Sequence, residues 1–354
     1  MRIGLTFDLR AEYLAAGYGE EETAEFDSPR TIEAIEDALG ELGHETDRIG
    51  HIRQLVDRLA RGDRWDLVFN LAEGLHGPGR EAQTPALLDA YEIAYTGSDP
   101  LVMALTLDKP WTKIIVRQAG VPTPEFALVR NVEELAALAL RYPLFAKPAA
   151  EGTGKGITAA SKVTGPDELC RVCADLLARF QQPVLVEEFL PGREFTVAIA
   201  GTGNDAEVLG TMEIVLLPSA EPDVYSYVNK EHSEALVEYF IRRPDEDEQV
   251  QRAEAHALAA WRTLRCRDAG RVDLRCDRAG EPNFIEVNPL AGLHPEHSDL
   301  PMICNKVGLS FKELIGRIVA SAQQRAAASF NRDPQGSAFK STTDALPCGS
   351  RLNK

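Results

Sequence analysis

The residues with the most chemical content fall within Gly270-Arg-Val-Asp-Leu-Arg-Cys-Asp-Arg-Ala-Gly-Glu-Pro-Asn-Phe-Ile-Glu-Val-Asn-Pro289. Two alternating runs flank Asp277-Arg-Ala-Gly280, whose composition is that of a tight turn, so the segment reads as a β-hairpin. Alternation puts Val272, Leu274 and Cys276 on one face of the first strand and Arg271, Asp273 and Arg275 on the other. In the second strand Ile285 and Val287 face one way, and Phe284, Glu286 and Asn288 the other. With Ala279-Gly280 as a two-residue turn, Asp273 stands directly across from Glu286. Two carboxylates and a carboxamide then meet beside the Arg271 guanidinium. Hard oxygen donors of this kind suit Mg²⁺, which is held by one or two carboxylates together with substrate phosphates. A surface hairpin with a solvated polar face would carry the same pattern, and the rest of the chain bears on the choice.

A second chemical segment is Glu151-Gly-Thr-Gly-Lys-Gly-Ile157, which follows a predicted strand, Leu144–Pro148. Three glycines at alternate positions, a hydroxyl and two nearby lysines suit a loop whose backbone N–H groups close over phosphates. The spacing is neither that of a P-loop nor that of a dinucleotide fingerprint. Beyond a predicted helix, Asp167–Phe180, two strands within Val184–Val197 are broken at Leu190-Pro-Gly-Arg193, with acids at the break. A carboxylate there, beside an apolar slot, can accept from a ribose hydroxyl or an adenine amine, although exposed hinge acids are equally ordinary. The polar stretch Pro222–His232 reads as a mobile cover.

These groups need a frame. Arg2–Asp8 is a buried-type strand, and Ser28-Pro29 opens a helix with Ile32, Ile35, Ala38, Leu39 and Leu42 as its apolar stripe. Asp66–Asn70 is a second strand, running into Glu73-Gly-Leu-His-Gly77. Alternation of strand and helix implies a parallel sheet, with ligands beyond the C-terminal ends of its strands. The loops around Glu25 and His76 fall there; His76 braces the loop or touches substrate. Gly120-Val-Pro-Thr-Pro124 is a rigid link, followed by a strand over Glu125–Val129 and a helix from Val132. A helix from about Ser310 to Ser329 precedes a tail with no periodicity, read as disordered.

At 354 residues the chain is too long for one core. With 38 basic against 55 acidic residues, a net charge of −17, nucleic acid and anionic membranes are disfavoured as partners. No stretch approaches the ~20 apolar residues of a membrane span. The N-terminus lacks a signal-peptide pattern, so a cytoplasmic location is expected. Cys170-Arg-Val-Cys173 lies in an apparent helix with no second pair, and Pro295 breaks the helical spacing of His294 and His297. Reduced thiols and no zinc site follow.

In their order along the chain, these motifs resemble the ATP-grasp superfamily and, within it, the D-alanine–D-alanine ligases, over roughly residues 65–320. The resemblance implies an ATP-grasp fold of three α/β domains: a parallel-sheet domain over 1–98, linker and central grasp subdomain over 99–185, a C-terminal grasp subdomain over 186–329, and the tail over 330–354. It implies that Lys109 (in Leu-Asp-Lys) and Lys147 (in Ala-Lys-Pro) hold the ATP phosphates under the loop of Glu151, Thr153 and Gly154, with Thr153 where the family usually has serine. Glu187, Leu190 and Glu194 match its adenine and ribose contacts, and Lys230 the lysine that reaches the γ-phosphate. Asp273, Glu286 and Asn288 match ligands of two Mg²⁺ ions, with Mn²⁺ as an alternative. Arg271 and Gly292 match the oxyanion stabilisers, His76 a first-substrate contact, and Ser298 the serine for the second substrate's carboxylate.

Three departures lie on the substrate side. The family's Gly-Gly-x-Ser-x-Glu-x-Glu stretch is replaced by a longer segment, within which Glu25 is the candidate for the first substrate's amino group. Glu231 stands where tyrosine is common, and the loop after Gly292 is one residue longer. The activity implied is ATP-dependent ligation of a carboxylate to an amine, by a homodimer acting on amino-acid-like molecules. Its rivals are a ligase for other amino or hydroxy acids in a natural-product pathway and a nucleotide-binding protein that has lost ligation. The intact Arg271, Asp273, Glu286 and Asn288 argue against such a loss.

Overall fold

The computed structural model describes residues 1–330, without the side chains of Tyr227, Glu231, Ser329 and Phe330. The expected tail lies, from Asn331 on, outside the described residues, as does the side chain of Glu231.

Arg2–Thr6 (β1) is a short run whose Ile3 and Leu5 are fully buried. It pairs in parallel with Glu45–Gly50 (β2) and Leu67–Asn70 (β3), giving the order β2-β1-β3. The strand ends two residues before the expected Asp8. Asp8 instead turns its carboxylate to accept from Gly74 N at 3.0 Å and from the Tyr13 hydroxyl. The helix Pro29–Glu41 has Ser28 as its cap, accepting from Thr31 N at 3.2 Å, and buries Ile32, Ile35, Ala38 and Leu39 against this sheet.

Phe126–Val129 (β4), Leu144–Pro148 (β5), Lys162–Val163 (β6) and Val184–Glu188 (β7) form an antiparallel sheet of order β4-β7-β5-β6. The helix Pro166–Phe180 covers it with Leu169, Cys173 and Leu176. The helix expected from Val132 is only a 3₁₀ segment, Val132–Ala137. Its end is set at Leu138, which is already extended (φ −70°, ψ 123°).

Glu194–Ala200 (β8), Glu207–Leu216 (β9), Val237–Arg242 (β10), Ala269–Cys276 (β11) and Pro282–Asn288 (β12) form a second antiparallel sheet, β10-β9-β8-β11-β12. The helix Glu248–Leu264 packs Val250, Ala253, Ala257, Ala260 and Trp261 beneath it. Val102, Val116 and Val121 join that core, so the stretch after residue 99 packs with the C-terminal sheet. A separate cluster runs from Ile3, Leu5 and Phe69 to Ala198, Met212, Ile303 and Ile315, welding the first sheet to the last.

The hairpin β11–β12 has the expected cross-strand pair, Asp273 opposite Glu286, but reaches it differently. The turn holds three residues: Asp277 N donates to Glu281 O at 2.9 Å, Gly280 takes φ +83°, and Asp277 Oδ1 accepts from Ala279 N. A bulge at Ile285 then restores the register. It also exchanges two side chains relative to simple alternation. Phe284 is fully buried in the core beside Val272 and Leu274, whereas Ile285 faces the cleft on the side of Glu286.

The stretch 222–232, expected as a polar cover, is partly a packed element. Ser226 caps a short helix, Tyr227–Glu231, and Ser226 and Asn229 are fully buried. The Asn229 amide donates to the carbonyls of Glu221 (3.0 Å) and Val224 (2.8 Å), which fixes the backbone locally.

Candidate active site

A cleft of about 710 Å³ separates the two antiparallel sheets. Phe145 and Lys147 of β5 and Glu187 of β7 line one wall; Glu194 and Thr196 of β8, Asp273 of β11 and Ile285 and Glu286 of β12 line the other. Phe189, Leu190, Ile157 and Val224 close the inner end with apolar surface. The cleft is thus an apolar slot at one end and a charged chamber at the other, the form that a nucleotide's base and phosphates require.

In the chamber, Asp273 accepts from Thr196 Oγ1 at 2.9 Å and is paired with Arg271, which also approaches Asp299 at 3.6 Å. Asn288 Nδ2 lies 3.4 Å from Asp273 Oδ2, leaving Asn288 Oδ1 without a hydrogen-bond partner among the described residues. Glu286 likewise accepts no hydrogen bond among them; its nearest cation is Lys109 Nζ, at 3.5 Å. Burial would raise the Glu286 carboxyl, but Lys109, Lys147, Lys230 and Arg271 overcome it and hold it far below the usual range. Asp273 moves the other way, because burial and the Glu286 and Asp299 charges outweigh Arg271. A pair of carboxylates with open lone pairs, a carboxamide oxygen and a hydroxyl bracing one carboxylate is a fitting donor set for a hard divalent cation.

The family model described as D-ala D-ala ligase C-terminus matches residues 115–320. The D-alanine–D-alanine ligase of Bordetella pertussis is 36% identical over 272 residues, 76% of this chain and 82% of that protein. The enzyme of that name from Aquifex aeolicus is 32% identical over 82% of this chain and 94% of its own length. The chain belongs to the D-alanine–D-alanine ligase family. It is an ATP-dependent ligase of carboxylates with amines, on an ATP-grasp fold. Among solved structures, the D-alanine–D-alanine ligase of Bacillus anthracis complexed with ATP superimposes with a TM-score of 0.70 at 22% identity, over 93% of this chain and 99% of that one.

In this ligase Glu187 is 3% exposed and lies between Lys113 (2.9 Å) and Lys147 (3.2 Å). Burial pushes Lys113 down to about 8, whereas the acids around Lys147 more than offset its burial. Lys113 approaches Glu187 Oε2 off the hydrogen-bonding direction, and that oxygen has no hydrogen-bond partner among the described residues. Lys113 was not foreseen; it sits one helical turn after Lys109 and donates to Phe284 O at 3.2 Å, tying the hairpin to its helix. Glu194 also lines the cleft, 3.3 Å from Arg275. Lys230 reaches the chamber with its ammonium over the Tyr225 ring.

The glycine-rich loop carries three left-handed positions, Thr153 (φ 51°), Gly154 (φ 77°) and Gly156 (φ 72°). The first domain holds it down: Gly156 N donates to Glu21 (3.1 Å) and Lys155 Nζ to Glu25 (2.7 Å). Glu25 also pairs with Arg80 at 3.1 Å, and these two cations overcome its burial and keep its carboxyl low. It is therefore already neutralised, unlike a vacant receptor for an amino group. Lys109 donates to the Glu151 carbonyl, drawing the loop towards the chamber.

Gly292 lies at the meeting of three hollows, two shared with the Glu25 side and one with Arg271, Lys230 and Ser298. Ser298 Oγ accepts from His294 N at 2.9 Å and would lie 2.8 Å from a Cβ at position 292, so a side chain there would have to displace the Ser298 hydroxyl. His76 does not join these residues. It is exposed, in a separate groove with Tyr13, Tyr18 and His51. Glu73 and Glu81, in the same stretch of sequence, border the hollow beside the chamber instead. Among the described residues no helix is long and apolar enough to cross a membrane.

Proposed function

We propose that this ligase joins the carboxylate of one amino acid to the amine of another through an acyl phosphate, as a D-alanine–D-alanine ligase or a close variant acting on other amino or hydroxy acids. The observation that carries the reading is the cross-strand set Asp273, Glu286 and Asn288, standing between the nucleotide cleft and the hollow at Gly292.

A carboxylate is a poor acyl donor. Its oxygen attacks the γ-phosphorus of ATP, the bond to the β-phosphate oxygen breaks, and ADP leaves. Such a transfer needs positioning and charge neutralisation more than covalent help. Lys147 and Lys109 would orient the phosphates, with Lys230 reaching over them. Two divalent ions, Mg²⁺ or Mn²⁺, held by Asp273, Glu286 and Asn288, would neutralise the charge that builds on the transferring group. The amine nitrogen of the second substrate then attacks the acyl carbon and loses its proton, and inorganic phosphate departs as the C–O bond breaks. Arg271 and the Gly292 N–H are suited to the oxyanion of that step; losing one such donor costs about 3–4 kcal/mol. Glu187, fixed between Lys113 and Lys147, lines the cleft on the side where the adenine would lie, and Glu194, beside Arg275, lines it where the ribose would. Ser298 would bind the second substrate's carboxylate.

Purified protein with ATP and Mg²⁺ should release ADP and phosphate only when a suitable amino-acid pair is present, with a dipeptide of the matching mass. ATP turnover without any condensation product, across a panel of both enantiomers, would overturn the reading. We further propose a homodimer in the cytoplasm, and light scattering tests the assembly.

A further inference from the structure

Two connected hollows lead away from the metal ligands into the first domain, sharing Glu25, Glu73 and the Pro289–Gly292 backbone. The nearer, of about 650 Å³, begins at Lys109 and Glu286; the deeper, of about 520 Å³, reaches Asp27 beside Asn70 and Thr96 at the end of β3. Most acids there have counter-charges. Glu25 is bound by Arg80 and Lys155, Glu151 lies 2.9 Å from Lys155, and Asp268 pairs with Arg325 at 2.6 Å.

Three acids do not. The carboxyls of Asp27, Glu73 and Glu81 take part in no hydrogen bond or ion pair among the described residues, although all border these hollows. Glu81 is only 9% exposed. Asp27 and Glu73 are half-buried; for Glu81, an ionised carboxylate removed from water without a partner costs several kcal/mol, so it either holds a proton or awaits a cation. Burial and the neighbouring acids raise all three: Asp27 to about 8, Glu81 to about 7 against the pull of Arg80, and Glu73 well above its ordinary value. The α-ammonium of a substrate supplies one positive charge for this region. A methyl side chain supplies none, and would leave the deeper hollow and its acid unpaired.

Resting on the ligase reading above, we propose that the acyl-donor substrate is a basic amino acid, whose side chain passes Glu81 in the nearer hollow and carries its ammonium or guanidinium into the deeper one, where Glu73 and Asp27 hold it. Its carboxylate lies at the Lys109–Glu286 end, where phosphoryl transfer occurs, and its side chain passes the Gly292 turn. Entry of the cation displaces protons from the acids that receive it, so binding releases protons to solvent.

The test uses the full chain with Mg²⁺ and ATP and pairs of matched shape, lysine with norleucine and ornithine with norvaline, in both enantiomers, with alanine as acceptor. Mass spectrometry identifies the donor half of each product. The basic member of a pair should have a kcat/KM for the donor at least about tenfold higher. Glu73→Gln, Glu81→Gln and Asp27→Asn should shrink that ratio. Calorimetry with a non-hydrolysable ATP analogue, in two buffers of different ionisation enthalpy, should detect proton release with lysine and none with norleucine. Ligation with equal efficiency within each pair would overturn the proposal and leave the ligase reading standing. If no amino acid supports ADP release, the ligase reading falls, and the calorimetric comparison alone decides: equal or absent binding of lysine and norleucine overturns the basic-substrate assignment. Should the variants not fold, the wild-type ratio and the proton release still decide it.

Discussion

At the scale of single residues, the chamber is a balance of charges that are only partly paired. Glu286→Gln keeps the shape but removes the anionic donor opposite Asp273. Ligation should fall by at least about a hundredfold with the fold, read by circular dichroism, retained, and turnover at the wild-type rate would remove Glu286 from the metal site. Glu187 behaves differently from a simple nucleoside contact, because Lys113 and Lys147 are buried with it. Glu187→Ala should therefore lower stability by about 3–5 kcal/mol in denaturant unfolding as well as raise the KM for ATP. A change in KM alone would mean that the two lysines find other partners. Glu81 gives a dependence on pH. Its folded value, about 7, is raised above the ordinary 4.5 by burial, with Glu25 adding to the shift and Arg80, Lys109 and Lys155 opposing it. Between those values the native state holds the extra proton, so this group's contribution is full below about pH 4.5 and is lost as pH rises to about 7. The thermal midpoint of the ligand-free protein should decline over that window less steeply in Glu81→Gln than in the wild type.

At the scale of elements, the two devices that shape the site are a bulge and a glycine. The bulge at Ile285 lets Phe284 anchor the hairpin in the core while Glu286 and Asn288 stay on the working face. Gly156 lets the grasp loop turn at φ +72° with its backbone against the Phe180 ring and Pro148. A Cβ there would lie 2.8 Å from both, and neither ring can move away freely. Gly156→Ala should therefore strain the loop by at least about 1 kcal/mol. That should appear as a raised KM for ATP, whereas an unchanged KM would show that the loop does not close over the phosphates.

At the scale of the whole molecule, the substrate side depends on how the first domain is joined to the last sheet. Asp268 is central to that join: its carboxylate accepts from Gly97 N (2.8 Å), Ser321 Oγ (2.8 Å) and Arg325 of the C-terminal helix. Arg325→Met leaves this acid fully buried with only its neutral donors. Stability should fall by up to about 3 kcal/mol. If the join carries the effect, protease resistance at the helix Phe311–Phe330 should fall with it; a loss of stability with the helix still protected would locate the effect elsewhere.

What was legible in the sequence is what local rules determine. Period-two alternation located the hairpin and Asp273 opposite Glu286, glycine spacing located the grasp loop, and Ser28-Pro29 marked a helix start, because each depends on neighbours in the chain. The register at Glu286 was reached by two departures that cancel, a three-residue turn and a bulge. No local signal discloses a bulge, since it is set by which residue the core accepts. Burial, partnership and charge balance were decided by tertiary structure alone. The sequence made Glu25 and Glu187 look like open ligand contacts, and folding brought Lys155, Arg80, Lys113 and Lys147 to them from distant positions. It drew the eye to His76, which folding left in another groove, while Glu73 and Glu81 nearby turned inward without partners. A carboxylate's chemistry depends on which cations lie within a few ångströms, and those distances exist only once the chain has packed.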